Sequence, residues 1–378
     1  MNAATIAIRQ IMTTDSPPPP LFDDNFQPPD ADTVHAYAID TLFDPSYHTT
    51  DTEEIETKEA LLAPDREQFI AAIRLEVDSL LNVTKTLIPV QRDATGKFPT
   101  NTLNKRVWKI RTTLKCKRKK RANGEPDKHK ARAAARGDTL RRAMDKAKIT
   151  PPPTYSPTIM PPTFSFILQL SIIHGYTMAT MDIKSAYLNA PLPPDSDWII
   201  TTLELHIALA CNLDPAQEYR IANALYGLPD SGRIFYQHYR SALIAEGYTM
   251  SAFDNCLFYR AKPTETIYIL VYVDDTFIFA SHPDHLHALI AAIGKHYEVT
   301  LDLDATSFLG LQLTHNLDST VTLTQPKLLQ KLFALYPPRA QRNNSRVPYH
   351  PYAPEPKDSD PAPQPIDTYA YLRLLGIL

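Results

Sequence analysis

The sequence predicts an α+β fold built on a split βαβ unit, and three observations predict it. His174–Asn189 holds an apolar-leaning strand with one acid, Asp182, near its end, and an amphipathic helix through Phe235, Tyr239, Leu243 and Ile244 comes after it. Ile267–Ala280 reads as two strands of β-branched and aromatic residues joined by a short polar step that holds Asp274 and Asp275. A helix over His285–Tyr297 and a strand over Val299–Asp304 follow. Strand, helix, hairpin, helix, strand is the ferredoxin-like order.

A chain of 378 residues allows two or three globular units with cores of their own. A hydrophobic fraction of 43% is ordinary for a soluble protein. The prolines, 34 against 10 glycines, cluster and predict linkers and extended segments. Cys116, Cys211 and Cys256 are far apart and odd in number, which argues against a disulfide framework or zinc spacing. The first ten residues lack the basic start and apolar core of a secretory signal, and no apolar run approaches membrane-spanning length. These features together predict a soluble intracellular protein, cytoplasmic or nuclear, with no membrane partner.

The net charge of -3 hides a strong asymmetry. Residues 13–60 are acidic, with Asp23, Asp24, Glu53, Glu54 and Glu56 among them, whereas residues 105–148 are basic, with Lys115, Lys117, Arg118, Lys119, Lys120 and Arg121. A basic block beside a folded domain is the footprint of a phosphate-backbone binder. A nuclear-localisation signal or a solvated charged loop is the alternative.

Taken in order, residues 1–60 carry Pro17–Pro20, Pro28 and Pro29 without a sustained hydrophobic period, and a disordered leader is expected there. Order is expected to begin near Ala63. Pro64 and Asp65 read as a helix start, and Phe69, Ile73, Val77, Leu80 and Leu81 fall at helical spacing. Thr86–Val90 reads as a short strand. Val107–Lys117 alternates apolar and polar residues and suits a strand with one cationic face. Arg121–Glu125 contains Asn-Gly and suits a hairpin turn. Lys130–Arg136 would be the returning strand, although its alanines favour a helix by propensity. A helix is expected over Phe164–Ile173 after a proline-rich break, and Gln217–Leu228 leads into the Gly-containing Leu225–Arg233. Beyond the acidic hairpin, Ser307–Thr314 and Thr320–Thr324 are strand-like and Lys327–Tyr336 is helical. Residues 337–367 are again proline-rich, and Tyr369–Leu378 looks like the beginning of a helix.

Both arms of the hairpin are apolar almost throughout, so it should be buried. Two adjacent carboxylates at its tip resist desolvation, and each disfavours ionisation of the other. A divalent cation relieves both problems, and hard oxygen ligands suit magnesium. A polar turn with both acids facing water is the alternative. In the split βαβ topology, however, Asp182 and the tip lie on neighbouring strands, so three carboxylates converge as two-metal phosphoryl transfer requires. His282, His285 and His287 are closely spaced too, but His285 and His287 do not share a helix face, which argues against a zinc site.

These residues resemble a known family. Met181-Asp-Ile-Lys-Ser-Ala-Tyr-Leu-Asn189, Ala224-Leu-Tyr-Gly-Leu228 and Tyr272-Val-Asp-Asp275 are similar to the catalytic motifs of copia-like LTR-retrotransposon reverse transcriptases. Arg66–Leu81, Lys130-Ala-Arg132 with Arg136-Gly137, Thr154-Tyr-Ser-Pro157 and Phe308-Leu-Gly-Leu-Gln312 match in the family's order. The ordered set is specific where the Asp-Asp tetrapeptide alone is not.

The resemblance covers roughly residues 58–378 and implies an RNA-directed DNA polymerase of right-hand form. It divides the chain into a leader (1–60), fingers and palm entry (61–180), a palm with a second fingers segment (181–325), and the start of thumb and connection (326–378). Asp182, Asp274 and Asp275 would hold two magnesium ions, or manganese in their place, with the Ile183 carbonyl as a further ligand. Tyr187 matches the aromatic position that excludes a ribose 2′-hydroxyl, its alternative being a core tyrosine. Arg132 matches a fingers arginine on the incoming triphosphate. Lys115 or Lys117 matches the lysine on the γ-phosphate, a surface-strand role being the alternative. Tyr272, Lys119, Lys120 and the hairpin of Phe308, Leu309 and Gly310 are expected on primer and template. The implied partners are RNA or DNA template, primer and deoxynucleoside triphosphates, with the ribonuclease H and integrase segments of a longer Pol polyprotein.

Two departures stand out. Pro229-Asp230 replaces the family's common Lys-Gln pair. An aspartate beside a triphosphate carries a penalty of about 1 kcal/mol or more, unless Arg233 neutralises it. The chain also ends before any ribonuclease H acids, so a truncated fragment or decayed copy that only binds nucleic acid is the alternative reading. A ribonuclease of the same metal class fits less well, because the acids have polymerase spacing and the basic segment precedes them.

Overall fold

The computed structural model of the chain describes residues 6–8, 52–94, 96–98, 105–120 and 126–335. These fall into two compact units, a larger one within His48–Ala305 and a smaller one that joins Ile6–Ile8 to residues from Thr306 onward. In the smaller unit, β1 (Ile6–Ile8), β16 (Val321–Thr324), β15 (Leu311–His315) and β14 (Ser307–Phe308) form an antiparallel sheet in that spatial order. Helix α6 (Pro326–Leu335) follows. The boundary between Ala305 and Thr306 falls inside the stretch 181–325 that the sequence suggested as one domain.

The larger unit holds two sheets. In the first, β2 (Thr52–Glu56), β4 (Val107–Lys120), β7 (Trp198–Leu203), β8 (Glu218–Ile221) and β3 (Leu87–Val90) lie in that order, and β5 (Pro126–Ala135) also pairs with β4. Because β2 and β5 both pair with residues 115–119 of β4, they flank it on opposite edges. Period-two alternation divides this sheet cleanly. Leu114, Cys116, Ala133 and Ala135 are buried on one face, in one core with Phe69, Ile73 and Val77 of helix α1 (Arg66–Asp78). Arg118 and His129 of the same face both bond the Asp65 carboxylate, at 2.7 and 2.6 Å. The Arg118 guanidinium, chiefly, holds that carboxyl well below its usual range against the opposing effect of burial. The opposite face carries Arg111, Lys115, Lys117, Lys128, Lys130 and Arg132.

That alternation decides the alanine-rich segment. Helical propensity loses because Ala133 and Ala135 lie beneath α1 and the start of α2 (Gly137–Lys146), while Lys130 and Arg132 reach the other face. Small residues are needed there. A Cβ on Gly137 would lie 2.0 Å from the Gly227 carbonyl, and one on Gly227, at φ +87°, would lie 2.2 Å from the Ala135 carbonyl.

The second sheet runs β13 (Val299–Asp302), β6 (Thr177–Ile183), β12 (Asp275–Ala280), β11 (Glu265–Tyr272), β10 (Leu257–Lys262) and β9 (Thr249–Met250). Its neighbouring pairs are antiparallel. The strand order β13-β6-β12-β11 is the one a split βαβ unit requires. Helices α4 (Ser231–Ala245) and α5 (Pro283–Ile293) join one core with Ala179, Met181, Ile183, Ile269 and Ile278. On the other face Phe277 stacks on Phe279 at 4.5 Å and meets Phe164 of helix α3 (Pro161–Ile173) at 5.8 Å.

Several expectations change. Residues 52–60, assigned to the disordered leader, form β2 and a short helix, Thr57–Ala60, because β4 offers an edge of lysines to which the acids of β2 pair. β7 and the helix Leu205–Ala210 were not anticipated, although Trp198-Ile-Ile-Thr-Thr-Leu203 has a strand's composition. β9 and β10 extend the hairpin sheet beyond the anticipated pair. Helix α5 stops at Ile293 before Gly294 rather than running to Tyr297. The anticipated turn at 121–125, the proline-rich 337–367 and the helix at 369–378 lie outside the described residues. No helix among the described residues is long and apolar enough to cross a membrane.

Candidate active site

The site begins at the end of β6. Ala179, Met181 and Ile183 point into the core, so Asp182 emerges on the opposite face, the face of Phe277. Directly across the strand pair, Asp182 faces Asp275, and Asp275 in turn faces Tyr272. These three residues form one row across three strands. Val273 and Asp274 are the two-residue turn, with Val273 at φ +56°, a backbone conformation that a β-branched residue rarely adopts. The Asp274 carbonyl accepts a hydrogen bond from the Ile183 N–H at 3.1 Å, which draws the tip onto the end of β6.

Three carboxylates at one end of a sheet repel one another. Partial burial between the strands, then the charges of Asp274 and Asp182, push Asp275 up to about 6. Asp275 nonetheless presents enough surface to count as exposed. The shift therefore reflects a shallow, crowded site rather than a sealed one. Asp182 is raised as well, by burial and by Asp274, and Lys130, Arg132 and Lys184 pull the other way. Two residues of the basic face, Lys130 and Arg132, thus act on Asp182 as nearby charges. Lys184 itself is paired with Glu298.

Arg132 is exposed, lies over the Tyr226 ring at 4.3 Å, and makes no ion pair among the described residues. Tyr187 follows in a half-buried short turn, Ala186–Asn189, its ring 4.8 Å from that of Tyr226. Burial raises Tyr187, as does Asp274, and burial pushes Tyr226 up to about 12. A Cβ on Gly232, in the first turn of α4, would lie 3.6 Å from the Tyr187 hydroxyl and 3.6 Å from Ser156 Cβ. Arg132, Tyr187, Tyr226 and the first turn of α4 therefore stand close to one another, with the charges of Arg132 and Asp274 both acting on Tyr187.

Other expected residues lie elsewhere or are engaged. Lys115 bonds Glu56 at 2.9 Å and Lys117 bonds Glu54 at 2.5 Å, both acids being on β2. Lys119 and Lys120 end β4. Asp230 precedes α4 without capping it through its side chain, and burial raises it. Arg233 does not close an ion pair with Asp230. Its Nε donates to the Pro153 carbonyl at 2.9 Å, and it acts on Asp230 only as a nearby charge. Phe308 is buried in the smaller unit, and Leu309 and Gly310, at φ +50° and +78°, form the turn after it. The histidine cluster serves α5: His282 Nδ1 accepts from the Asp284 N–H, and His285 Nδ1 bonds Ser281. Sequence reasoning missed Glu76, which interrupts the buried stripe of α1 and accepts from the Ala133 N–H at 2.8 Å. Its place between Ile73 and Val77 was the available signal.

Residues 99–336, well over half of the chain, match the family model described as reverse transcriptase (RNA-dependent DNA polymerase). The chain belongs to the reverse transcriptase family. Among curated relatives, the retrovirus-related Pol polyprotein from transposon RE2 of Arabidopsis thaliana is 26% identical over 306 residues, 78% of this chain and 19% of that protein. The corresponding polyprotein from transposon RE1 of the same plant is 25% identical over 240 residues, 64% of this chain and 15% of that protein. The one from transposon TNT 1-94 of Nicotiana tabacum is 23% identical over 288 residues, 75% and 20% respectively. The likeness to copia-like elements drawn from the motifs therefore holds. The chain spans a fifth or less of the length of these relatives. As a reverse transcriptase family member it has its Asp-Asp pair on β11–β12 and its third acid on β6, directly opposite.

Proposed function

We propose that this chain is the polymerising part of a copia-like Pol polyprotein and adds deoxynucleotides to a primer 3′-hydroxyl under the direction of an RNA template. The observation that carries this reading is the convergence of Asp182, Asp274 and Asp275 near Arg132, which makes no ion pair among the described residues. In this reading the first sheet serves as fingers, the second as palm, and the smaller unit as the beginning of thumb and connection.

Among the described residues, no three His, Cys, Asp or Glu side chains stand together closely enough to hold a metal as they are. The donor set still fits a hard divalent cation: Asp182 and Asp275 are raised first by burial and then by the neighbouring carboxylates, and a bound cation would relieve both. Asp182, Asp274 and Asp275, with the Ile183 carbonyl, would hold magnesium or manganese, which supplies charge neutralisation at the attacking and leaving oxygens. The chain's own groups do the positioning. Arg132 and Lys130 attract the triphosphate toward the acids. Tyr187, backed by Tyr226, presents a flat wall where the sugar would sit. The engaged Lys115 and Lys117 would reach phosphate only by leaving Glu56 and Glu54.

A second reading, a nucleic-acid binder without catalysis, is favoured by Asp230, a half-buried acid beside the first turn of α4. Incubation of the purified chain with a primed RNA template, deoxynucleotides and magnesium separates the two. Template-directed extension that disappears in Asp182→Asn supports the polymerase. Salt-sensitive binding without extension supports the second reading.

A further inference from the structure

We propose that Glu76 is a positioning residue for the nucleotide site, holding the strand edge that presents Arg132 to the three acids. The inference rests on the polymerase reading above. Among the described residues strand β5 pairs with β4 on one edge, and its other edge needs partners for outward N–H groups. Glu76 reaches from α1 and accepts from the Ala133 N–H at 2.8 Å, one residue beyond Arg132. Two residues further on, the Ala135 N–H donates to the Tyr226 carbonyl at 2.7 Å. The ring of that same tyrosine lies under the Arg132 guanidinium at 4.3 Å. Arg132 is therefore held twice, through its backbone by Glu76 and through its head by Tyr226.

The contrast with its neighbours gives this arrangement a use. Lys115 and Lys117 share the Arg132 face but are bonded to Glu56 and Glu54. Arg132 makes no such pair among the described residues, and its charge is felt at Asp182, Tyr187 and Tyr226. An anion lying between Arg132 and the acids, as a metal-bound triphosphate would, meets a cation whose strand cannot slide. Glu76 sits within an apolar helix stripe, where leucine would pack well. Its carboxylate is kept there for the hydrogen bond it accepts, and glutamine can accept the same bond.

The test is deoxynucleoside triphosphate affinity, measured by equilibrium titration of the full chain bound to primer–template. Glu76→Leu is expected to weaken nucleotide binding by about tenfold, equivalent to about 1.4 kcal/mol, and to leave primer–template affinity within about twofold. Glu76→Gln restores the nucleotide affinity. In an Arg132→Ala background Glu76→Leu costs nothing further, because it acts through the arginine. If Glu76→Leu does not fold, Glu76→Asp, which retracts the acceptor by one methylene, carries the same expectations. A folded variant with unchanged nucleotide affinity overturns the inference, as does an equal loss with and without Arg132. A wild-type chain that binds primer–template but no nucleotide overturns the polymerase reading, and this inference with it.

Discussion

Asp182 and Asp275 face each other across two strands with Asp274 beside them, so in the metal-free protein burial and mutual repulsion leave Asp275 raised, with Lys130, Arg132 and Lys184 offsetting part of the repulsion at Asp182. Asp275 is held at about 6 against an ordinary 3.8, so the folded state keeps its proton more tightly than the unfolded chain does. This group's contribution to stability is therefore lost as pH rises from about 4 through about 6. Asp275→Asn should abolish extension yet raise the metal-free melting temperature at pH 7, with the gain shrinking by pH 5. Thermal melts of both proteins across that range check it, and a gain that does not change with pH would contradict it. By the same competition, magnesium affinity should fall as pH drops through about 6. Tyr187 tests the nucleotide side. Tyr187→Val removes the wall backed by Tyr226 and should raise ribonucleotide incorporation relative to deoxynucleotide, measured as a ratio of kcat/KM values.

At the scale of elements, β2 carries acids onto a basic face. Exposed pairs such as Glu56–Lys115 and Glu54–Lys117 add little stability, because water screens them. They do withdraw two cations from the surface that would meet phosphate. Joint substitution Glu54→Gln and Glu56→Gln should therefore tighten nucleic-acid binding and steepen its dependence on log salt by about two. Titrations at several salt concentrations measure that slope, and an unchanged slope would mean that these lysines touch no phosphate. The junction of β5 with α2 depends on two interlocked glycines. Gly227→Ala places a methyl 2.2 Å from the Ala135 carbonyl at a positive φ, and should cost about 3 kcal/mol in denaturant unfolding. Because Tyr226 adjoins that turn, the surviving folded fraction should also bind nucleotide less tightly.

For the whole molecule, the split βαβ core and its acids were legible because period-two patterning and the hairpin's β-branched runs are local signals. The pairing of Asp182 with Asp275 followed from topology once the element order was read. Less legible were contacts set by partners distant in sequence. Nothing local marks Glu54 and Glu56 as partners of Lys117 and Lys115, some sixty residues away, so the leader was read as unstructured to residue 60. Alanine propensity obscured β5, which is a strand because α1 packs over its small face. Arg233 was the obvious partner for Asp230, but its reach to Pro153 depends on tertiary placement.

The central claim is that the three acids form one metal-dependent polymerising site. Its most direct test is extension of a primed RNA template by the full chain with magnesium, comparing wild type with Asp274→Asn while template binding is measured in parallel. The prediction is extension by the wild type, none by Asp274→Asn, and equal binding by both. Extension that survives unchanged in Asp274→Asn would contradict it.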